Sequence, residues 1–273
     1  MLSAEQIQEF HECGFTKGDV ILNDSQIKML LDELQLVMDG KTERKPVLYR
    51  DMLASVNEYG EPTGKKEQFI QIVNIWMASD AYLQLALHPV INEDIAQLTG
   101  ADTLRLWHDQ IVYKPPLTGG PTYWHQDFPA WPLIEPADLV GAWVALDDAV
   151  VENGCMWMVP GSHKWGNHSR YLTSDDNYMP VHTQPNLLPE GVSIKAVPVE
   201  LKKGQVGYHH CMTWHGGPNN RSGMERRGIA YHYMPGHTRY VPSGYHQLEP
   251  YIEVKPNEIL AGKYFPVTYT RKP

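Results

Sequence analysis

Leu104-Arg105-Leu106-Trp107-His108-Asp109-Gln110-Ile111-Val112-Tyr113 is where the chain changes character. Before it, apolar residues recur at helical spacing. From it onward they come in short runs rich in Val, Ile, Tyr and Trp, separated by Gly and Pro, as strands joined by turns require. Further runs cover 139–146, 155–159, 193–199, 205–209 and 227–234. Runs of this length and spacing predict an antiparallel sandwich or barrel.

Upstream, Leu30, Leu31, Leu34, Leu36 and Val37 predict a helix over 24–38, with Asp24-Ser25 as its N-cap pair and Gly40 as its stop. A second helical run, 82–98, is interrupted by Pro89 and ends at Gly100. Residues 56–66 are polar and turn-rich and read as a mobile surface loop. Residues 165–191, with the charged Ser174-Asp175-Asp176, lack periodicity and read as a lid or substrate loop. The division that follows is one domain over 1–273: mainly helical support over 1–103, a β core over 104–240 and a C-terminal extension over 241–273.

At 273 residues, 42% hydrophobic and 20% charged, the chain can bury one sizeable core. Its 23 basic against 32 acidic side chains, formally −9, disfavour nucleic acid and anionic membranes as partners. No stretch approaches the roughly 20 apolar residues of a membrane span, and the first residues carry neither a basic nor an apolar leader region. The C-terminal Thr-Arg-Lys-Pro is not a Ser-Lys-Leu peroxisomal address. These features predict a soluble, cytoplasmic protein acting on a small molecule. Cys13, Cys155 and Cys211 form no Cys-x-x-Cys pair, which excludes a disulfide framework and a zinc ribbon, and Cys211 reads as packing.

Between the first two strand runs lies Tyr123-Trp124-His125-Gln126-Asp127, which holds the chain's single His-x-Asp triplet. Thr213-Trp214-His215-Gly216-Gly217 adds a second histidine about 90 residues on, and Arg226 follows eleven residues later. Two histidines and one carboxylate on one face of a divalent iron leave the opposite positions open, as non-haem Fe(II) oxygenases need. The plain competitor is a hydrogen-bonded loop histidine beside a capping Asp.

With these residues the chain resembles the phytanoyl-CoA dioxygenase-like family of Fe(II)/2-oxoglutarate oxygenases. The resemblance runs from Glu9-Phe10-His11-Glu12-Cys13-Gly14-Phe15 through Trp124-His125-Gln126-Asp127-Phe128-Pro129 and Ala142-Trp143-Val144-Ala145-Leu146-Asp147-Asp148. It continues through Asn153-Gly154-Cys155-Met156-Trp157-Met158-Val159-Pro160-Gly161-Ser162-His163, then His215-Gly216-Gly217-Pro218-Asn219 and Arg226-Arg227-Gly228-Ile229-Ala230. It implies a double-stranded β-helix of jelly-roll, cupin-like type, with His125, Asp127 and His215 as both metal ligands and catalytic residues. It implies Fe(II), with 2-oxoglutarate and O2 as cosubstrates, and hydroxylation of an unactivated C–H bond with release of succinate and CO2. Related halogenases lack the carboxylate ligand; Asp127 is present, which favours hydroxylation.

The distal carboxylate of 2-oxoglutarate needs a cation, and the planar fork of arginine suits it. Arg226 sits at the family's spacing, with Arg227 as the alternative because strand neighbours face opposite sides. Lys114 matches a family lysine that approaches the cosubstrate. Family members often carry Ser or Thr two positions after the second histidine, where this chain has Gly217.

For the substrate pocket the candidates are Trp131, just beyond the ligand pair, Gln126 and His210. At most one of His209 and His210 faces inward. His163 reads as a structural hydrogen bond, Asp147-Asp148 as a strand-end turn, and Trp107, Trp124, Trp143 and Trp157 as core. No phosphate loop, Gly-x-Gly-x-x-Gly or Gly-x-Ser-x-Gly elbow is present, so nucleotide, nicotinamide and serine-hydrolase readings lack support. A cupin-like isomerase or lyase that uses no 2-oxoglutarate, and a binding module with a vestigial metal site, are the other readings.

Overall fold

Along the chain run α1 (Ala4–Cys13), β1 (Phe15–Val20), α2 (Asp24–Met38), β2 (Leu48–Asp51), β3 (Ile70–Val73), α3 (Asp80–Ala86), α4 (Pro89–Thr99) and β4 (Thr103–Lys114). There follow β5 (Thr122–His125), β6 (Ile134–Glu135), β7 (Val140–Ala145), β8 (Met156–Met158), β9 (Leu172–Ser174) and β10 (Pro180–His182). The last are β11 (Val197–Val199), β12 (Gln205–His210), β13 (His215–Gly217), β14 (Arg226–Pro235), β15 (Arg239–Tyr240) and β16 (Val267–Thr270). This computed structural model describes residues 1–53 and 67–272, so the segment 56–66 read as a surface loop lies outside the described residues.

Helix boundaries follow local chemistry. α2 is capped by Asn23, one residue before the expected Asp24-Ser25 pair: Asn23 Oδ1 accepts from the Gln26 amide at 3.0 Å, and Gln26 Oε1 accepts from the Asn23 amide at 2.9 Å. This reciprocal box satisfies two otherwise orphaned donors, which a cap placed one residue later would leave open. Pro89 splits the predicted 82–98 run into α3 and α4 by occupying the first turn of α4, where its missing N–H is harmless. Gly100 closes α4 at φ +68°, a left-handed conformation that suits glycine.

Eight strands form the large antiparallel sheet, in the order β1-β12-β7-β14-β4-β3-β2 with β16 also on β4. A smaller sheet, β11-β8-β13-β5, faces it. Together they form the jelly-roll core, and the predicted strand runs fall on β4, β7, β8, β11, β12 and β14. The first hundred residues are more than helical support, since β1, β2 and β3 extend the large sheet at both edges. The aperiodic stretch 165–191 contains the β9-β10 hairpin, held to β5 by a 2.6 Å hydrogen bond from Trp124 Nε1 to the Tyr178 carbonyl.

Period-two alternation decides what faces where. In β14, Ile229, Tyr231 and Tyr233 join the core shared with α2, α3 and α4. Tyr231 and Tyr233 each donate from their hydroxyls to helix carbonyls, at 2.8 Å to Tyr82 and 2.7 Å to Ala86, so their polar ends are satisfied inside the core. Burying side chains of this size contributes about 1.5–3 kcal/mol each. Arg226, Ala230 and His232 occupy the other face and line a cavity between the sheets. The register of β4 against β14 shifts between His232 and Tyr233, and this bulge reverses the alternation of β4. Leu104 and Leu106 before it and Ile111 after it all reach the helical core, leaving Gln110 and Val112 for the cavity. Among the described residues no helix is long and apolar enough to cross a membrane.

Candidate active site

His125 ends β5 and His215 begins β13, directly opposite each other in the small sheet, with ring centroids 4.1 Å apart. Each ring is oriented by the carbonyl two residues before it: His125 Nδ1 lies 2.8 Å from Tyr123 O, and His215 Nδ1 lies 2.9 Å from Thr213 O. A carbonyl only accepts, so both imidazoles carry their hydrogen on Nδ1 and present the Nε2 lone pair. Asp127 follows in a tight turn fixed by the amides of Asp127 and Phe128, which both donate to Cys211 O. Its Oδ1 lies 3.5 Å from His125 Nε2 and 3.6 Å from His215 Nε2. These three ligand atoms lie within 4.8 Å of one another. Two imidazole nitrogens and one carboxylate oxygen converging on a point can hold a divalent iron.

The other Asp127 oxygen has its own partners. His209 Nε2 lies 3.0 Å from Oδ2, and His232 Nδ1 lies 3.8 Å from it. Asp127, His209 and His232 also satisfy the spacing of a metal-binding group. The 3.0 Å contact, however, is a hydrogen-bond length, with His209 donating to the carboxylate. Gly141, opposite His209 in the register, makes room for that ring, since a Cβ there would lie 2.5 Å from it. Burial pushes His215 down to about 3 and His232 down to about 4, whereas at His125 burial is outweighed by the Asp127 carboxylate, which raises it. Burial opposes ionisation of Asp127, but the surrounding imidazoles outweigh it and hold the carboxyl well below its usual range.

Arg226 is 3% exposed and stacks on Trp143, its guanidinium carbon 4.6 Å from the ring. Its Nε and Nη1 are buried with no hydrogen-bond partner among the described residues, and burial pushes its pKa down to about 10. A buried guanidinium with unused donors beside a cavity fits a ligand carboxylate. Arg227, by contrast, donates from Nε and Nη2 to both oxygens of Asp147, at 2.8 Å each, on the opposite face.

Lys114 is paired with Arg226 across β4 and β14 but does not line the cavity. Its Nζ donates to Pro218 O at 2.7 Å, and burial together with nearby Arg226 pushes its pKa well down. At Gly217 a Cβ would lie 2.7 Å from Cys155 O, so the hydroxyl common among resembling proteins has no room here.

The cavity has a volume of about 290 Å3. Beyond the ligand residues, its walls include Met52, Leu53, Phe69, Val112 and Met156, with Gln71, Gln110, Thr122 and Tyr123 among the polar members. The three pocket candidates lie elsewhere. Trp131 is 4% exposed and packs behind the site, its ring 4.8 Å from that of His232, because the chain turns inward after Asp127. The pocket tryptophan is Trp143. Gln126 is spent on structure: its amide nitrogen donates to Gly166 O and Met212 O, and its oxygen accepts from the His168 amide, pinning the start of 165–191. His210 accepts from the Met212 amide and packs against His163, on the face opposite His209. His163 Nδ1 has no hydrogen-bond partner among the described residues, and the ring bonds instead to the His11 backbone.

His209, His232, Gln71 and Gln110 were not singled out as site residues from the sequence. Two left a signal. His232 shares parity with Arg226, and apolar Val206 and Tyr208 place His210 with the core side of β12, which leaves His209 facing inward.

A sequence model described as phytanoyl-CoA dioxygenase matches residues 10–228. The peroxisomal phytanoyl-CoA dioxygenase of Bos taurus is 23% identical over 252 residues, 88% of this chain and 71% of that protein. Among solved structures, the non-haem alpha-ketoglutarate-dependent carbocyclase SnoK from nogalamycin biosynthesis has TM-score 0.76 and 26% identity, covering 97% of this chain and 96% of its own. The epimerase SnoN, solved with Fe3+, alpha-ketoglutarate and nogalamycin RO, has TM-score 0.72 and 23% identity, with 97% of each chain covered.

Proposed function

This chain belongs to the phytanoyl-CoA dioxygenase family and is an iron- and 2-oxoglutarate-dependent dioxygenase, and on that premise we propose that it hydroxylates a C–H bond of a small molecule bound in the cavity between its two sheets. Bound iron, with O2, supplies the oxidative decarboxylation of 2-oxoglutarate to succinate and CO2, coupled to a two-electron oxidation of the substrate. His125, His215 and Asp127 would hold the iron, and Arg226 would hold the distal carboxylate of 2-oxoglutarate. His209 donates to the remaining Asp127 oxygen and so keeps Oδ1 turned toward the two imidazoles. Trp143 supports Arg226 from below and keeps water off its flank. Lys114 anchors the backbone at Pro218.

The observation that carries this reading is the Arg226 guanidinium, buried with unused donors in the cavity that also holds the oriented histidine pair. Anaerobic addition of Fe(II) and then 2-oxoglutarate to metal-free protein tests it through the visible absorption band of an iron-chelated 2-oxo acid. The band should vanish in His125→Ala and weaken in Arg226→Ala. Iron uptake without any band would leave a metalloenzyme that does not use 2-oxoglutarate. Hydroxylation is tested on the first substrate found: under oxygen-18 gas the product should gain one labelled atom, whereas an epimerised or cyclised product would gain none.

A further inference from the structure

We propose that Gln71 and Gln110 form a donor subsite that recognises an acceptor oxygen, a carbonyl, carboxylate or hydroxyl, on a substrate with an apolar body. This rests on the oxygenase reading of the same cavity and adds the chemical class of its substrate. Gln71 and Gln110 are diagonal neighbours on β3 and β4, since Gln71 is in register with Val112 and Val73 with Gln110. Arg50, opposite Gln71 on β2, donates from Nε to Gln71 Oε1 at 2.9 Å. Gln71 Nε2 donates to Gln110 Oε1 at 2.5 Å, and Gln110 Nε2 lies 3.5 Å from His232 Nε2. His232 Nδ1 in turn lies 3.8 Å from Asp127 Oδ2.

The direction of this chain is set at its Arg50 end. A guanidinium has no acceptor, so the atom of Gln71 facing Arg50 is its oxygen, and the amide group is left for Gln110. Gln110 is then left with its amide nitrogen facing His232 Nε2, which accepts, so His232 carries its hydrogen on Nδ1. Each carboxamide oxygen therefore already accepts one hydrogen bond within the chain, and each amide nitrogen keeps one hydrogen beyond it. Both residues line the cavity, so those hydrogens are available to a ligand on this wall, with Thr122 and Tyr123 as the other uncharged polar members of the lining. Around them the described walls, Met52, Leu53, Phe69, Val112 and Met156, are apolar. A ligand whose polar group only donates would leave these amides unpaired and be rejected.

Two probes of one shape separate the cases: 4-phenyl-2-butanone, which only accepts, and 4-phenylbutylamine, a donor-only cation at neutral pH. Their affinities for the protein with Fe(II) and 2-oxoglutarate are measured anaerobically by calorimetry. The ketone should bind about tenfold more tightly than the amine. Gln110→Leu should weaken the ketone about three- to tenfold. Gln110→Glu, which replaces donor by acceptor, should reverse the order. Arg50→Ala, which frees Gln71 to turn over, should narrow the gap. A tighter amine in the unaltered protein, an unchanged order in Gln110→Glu, or no ketone binding up to its solubility limit would each overturn the proposal. The calorimetry is run whether or not the 2-oxoglutarate band appears, so a missing band counts against the oxygenase reading and a wrong probe order against this subsite.

Discussion

Arg226 and Arg227 are consecutive in β14, yet Asp147 pairs with Arg227 through both carboxylate oxygens while no described residue hydrogen-bonds Arg226 Nε or Nη1. One arginine is structural and the other is available. Arg226→Ala should raise the KM for 2-oxoglutarate about 100-fold or more, since two charge-assisted hydrogen bonds are lost. Arg227→Ala should lower stability by no more than about 1 kcal/mol, because its ion pair is partly exposed. Steady-state kinetics in 2-oxoglutarate and urea unfolding of both variants check the split.

Asp127 holds the two histidine pairs together, so its loss should abolish both iron binding and turnover. His209→Ala should weaken Fe(II) binding about 10- to 100-fold, the usual cost of losing a partner that orients a ligand. His209→Gln, which keeps a donor, should recover part of that. His210→Ala should leave Fe(II) affinity unchanged, because its ring packs against His163 on the other face. Fe(II) titrations of the four variants decide, and equal losses at His209 and His210 would contradict the assignment.

Gly141→Ala reports on the same link through the backbone. Its new Cβ would lie 2.5 Å from the His209 ring and push it away from Asp127. Iron affinity should fall by a factor similar to that in His209→Ala, and the double variant Gly141→Ala, His209→Ala should be little worse than either alone. Additive losses would mean that the glycine acts elsewhere.

Lys114→Met should change the KM for 2-oxoglutarate less than fivefold while lowering the urea midpoint, since its ammonium is engaged by a backbone carbonyl outside the cavity lining. A loss as large as that of Arg226→Ala would mean that Lys114 reaches the cosubstrate after all.

Acid should destabilise the metal-free protein over a defined window. Burial and nearby Lys164 push His163 down to about 4, and burial pushes His246 down to about 4, against an ordinary value of 6.5. The unfolded chain therefore takes up protons first. The stabilisation is complete above pH 6.5 and is lost as pH falls toward 4. Urea midpoints measured with a chelator present should decline across that range, and His246→Gln should make the decline shallower. A flat profile would show that these rings are solvated.

What local periodicity can carry was legible in the amino-acid sequence. Strand runs from Leu104 onward, the break at Pro89, the His125-Gln126-Asp127 triplet and the opposite facing of Arg226 and Arg227 all depend on residues close together in the chain. The tertiary structure decided which side chains meet. Trp131 was expected in the pocket and lies behind it, while Trp143 lines it, because the turn after Asp127 drives the chain into the core. His209 rather than His210 reaches Asp127, through a register between strands far apart in sequence and a glycine that clears its path. The alignment of Arg50, Gln71 and Gln110 likewise needs the pairing of β2, β3 and β4. A bulge of one residue in β4 changes which face each later side chain occupies, and no local pattern encodes that register, since it is set by packing across both sheets.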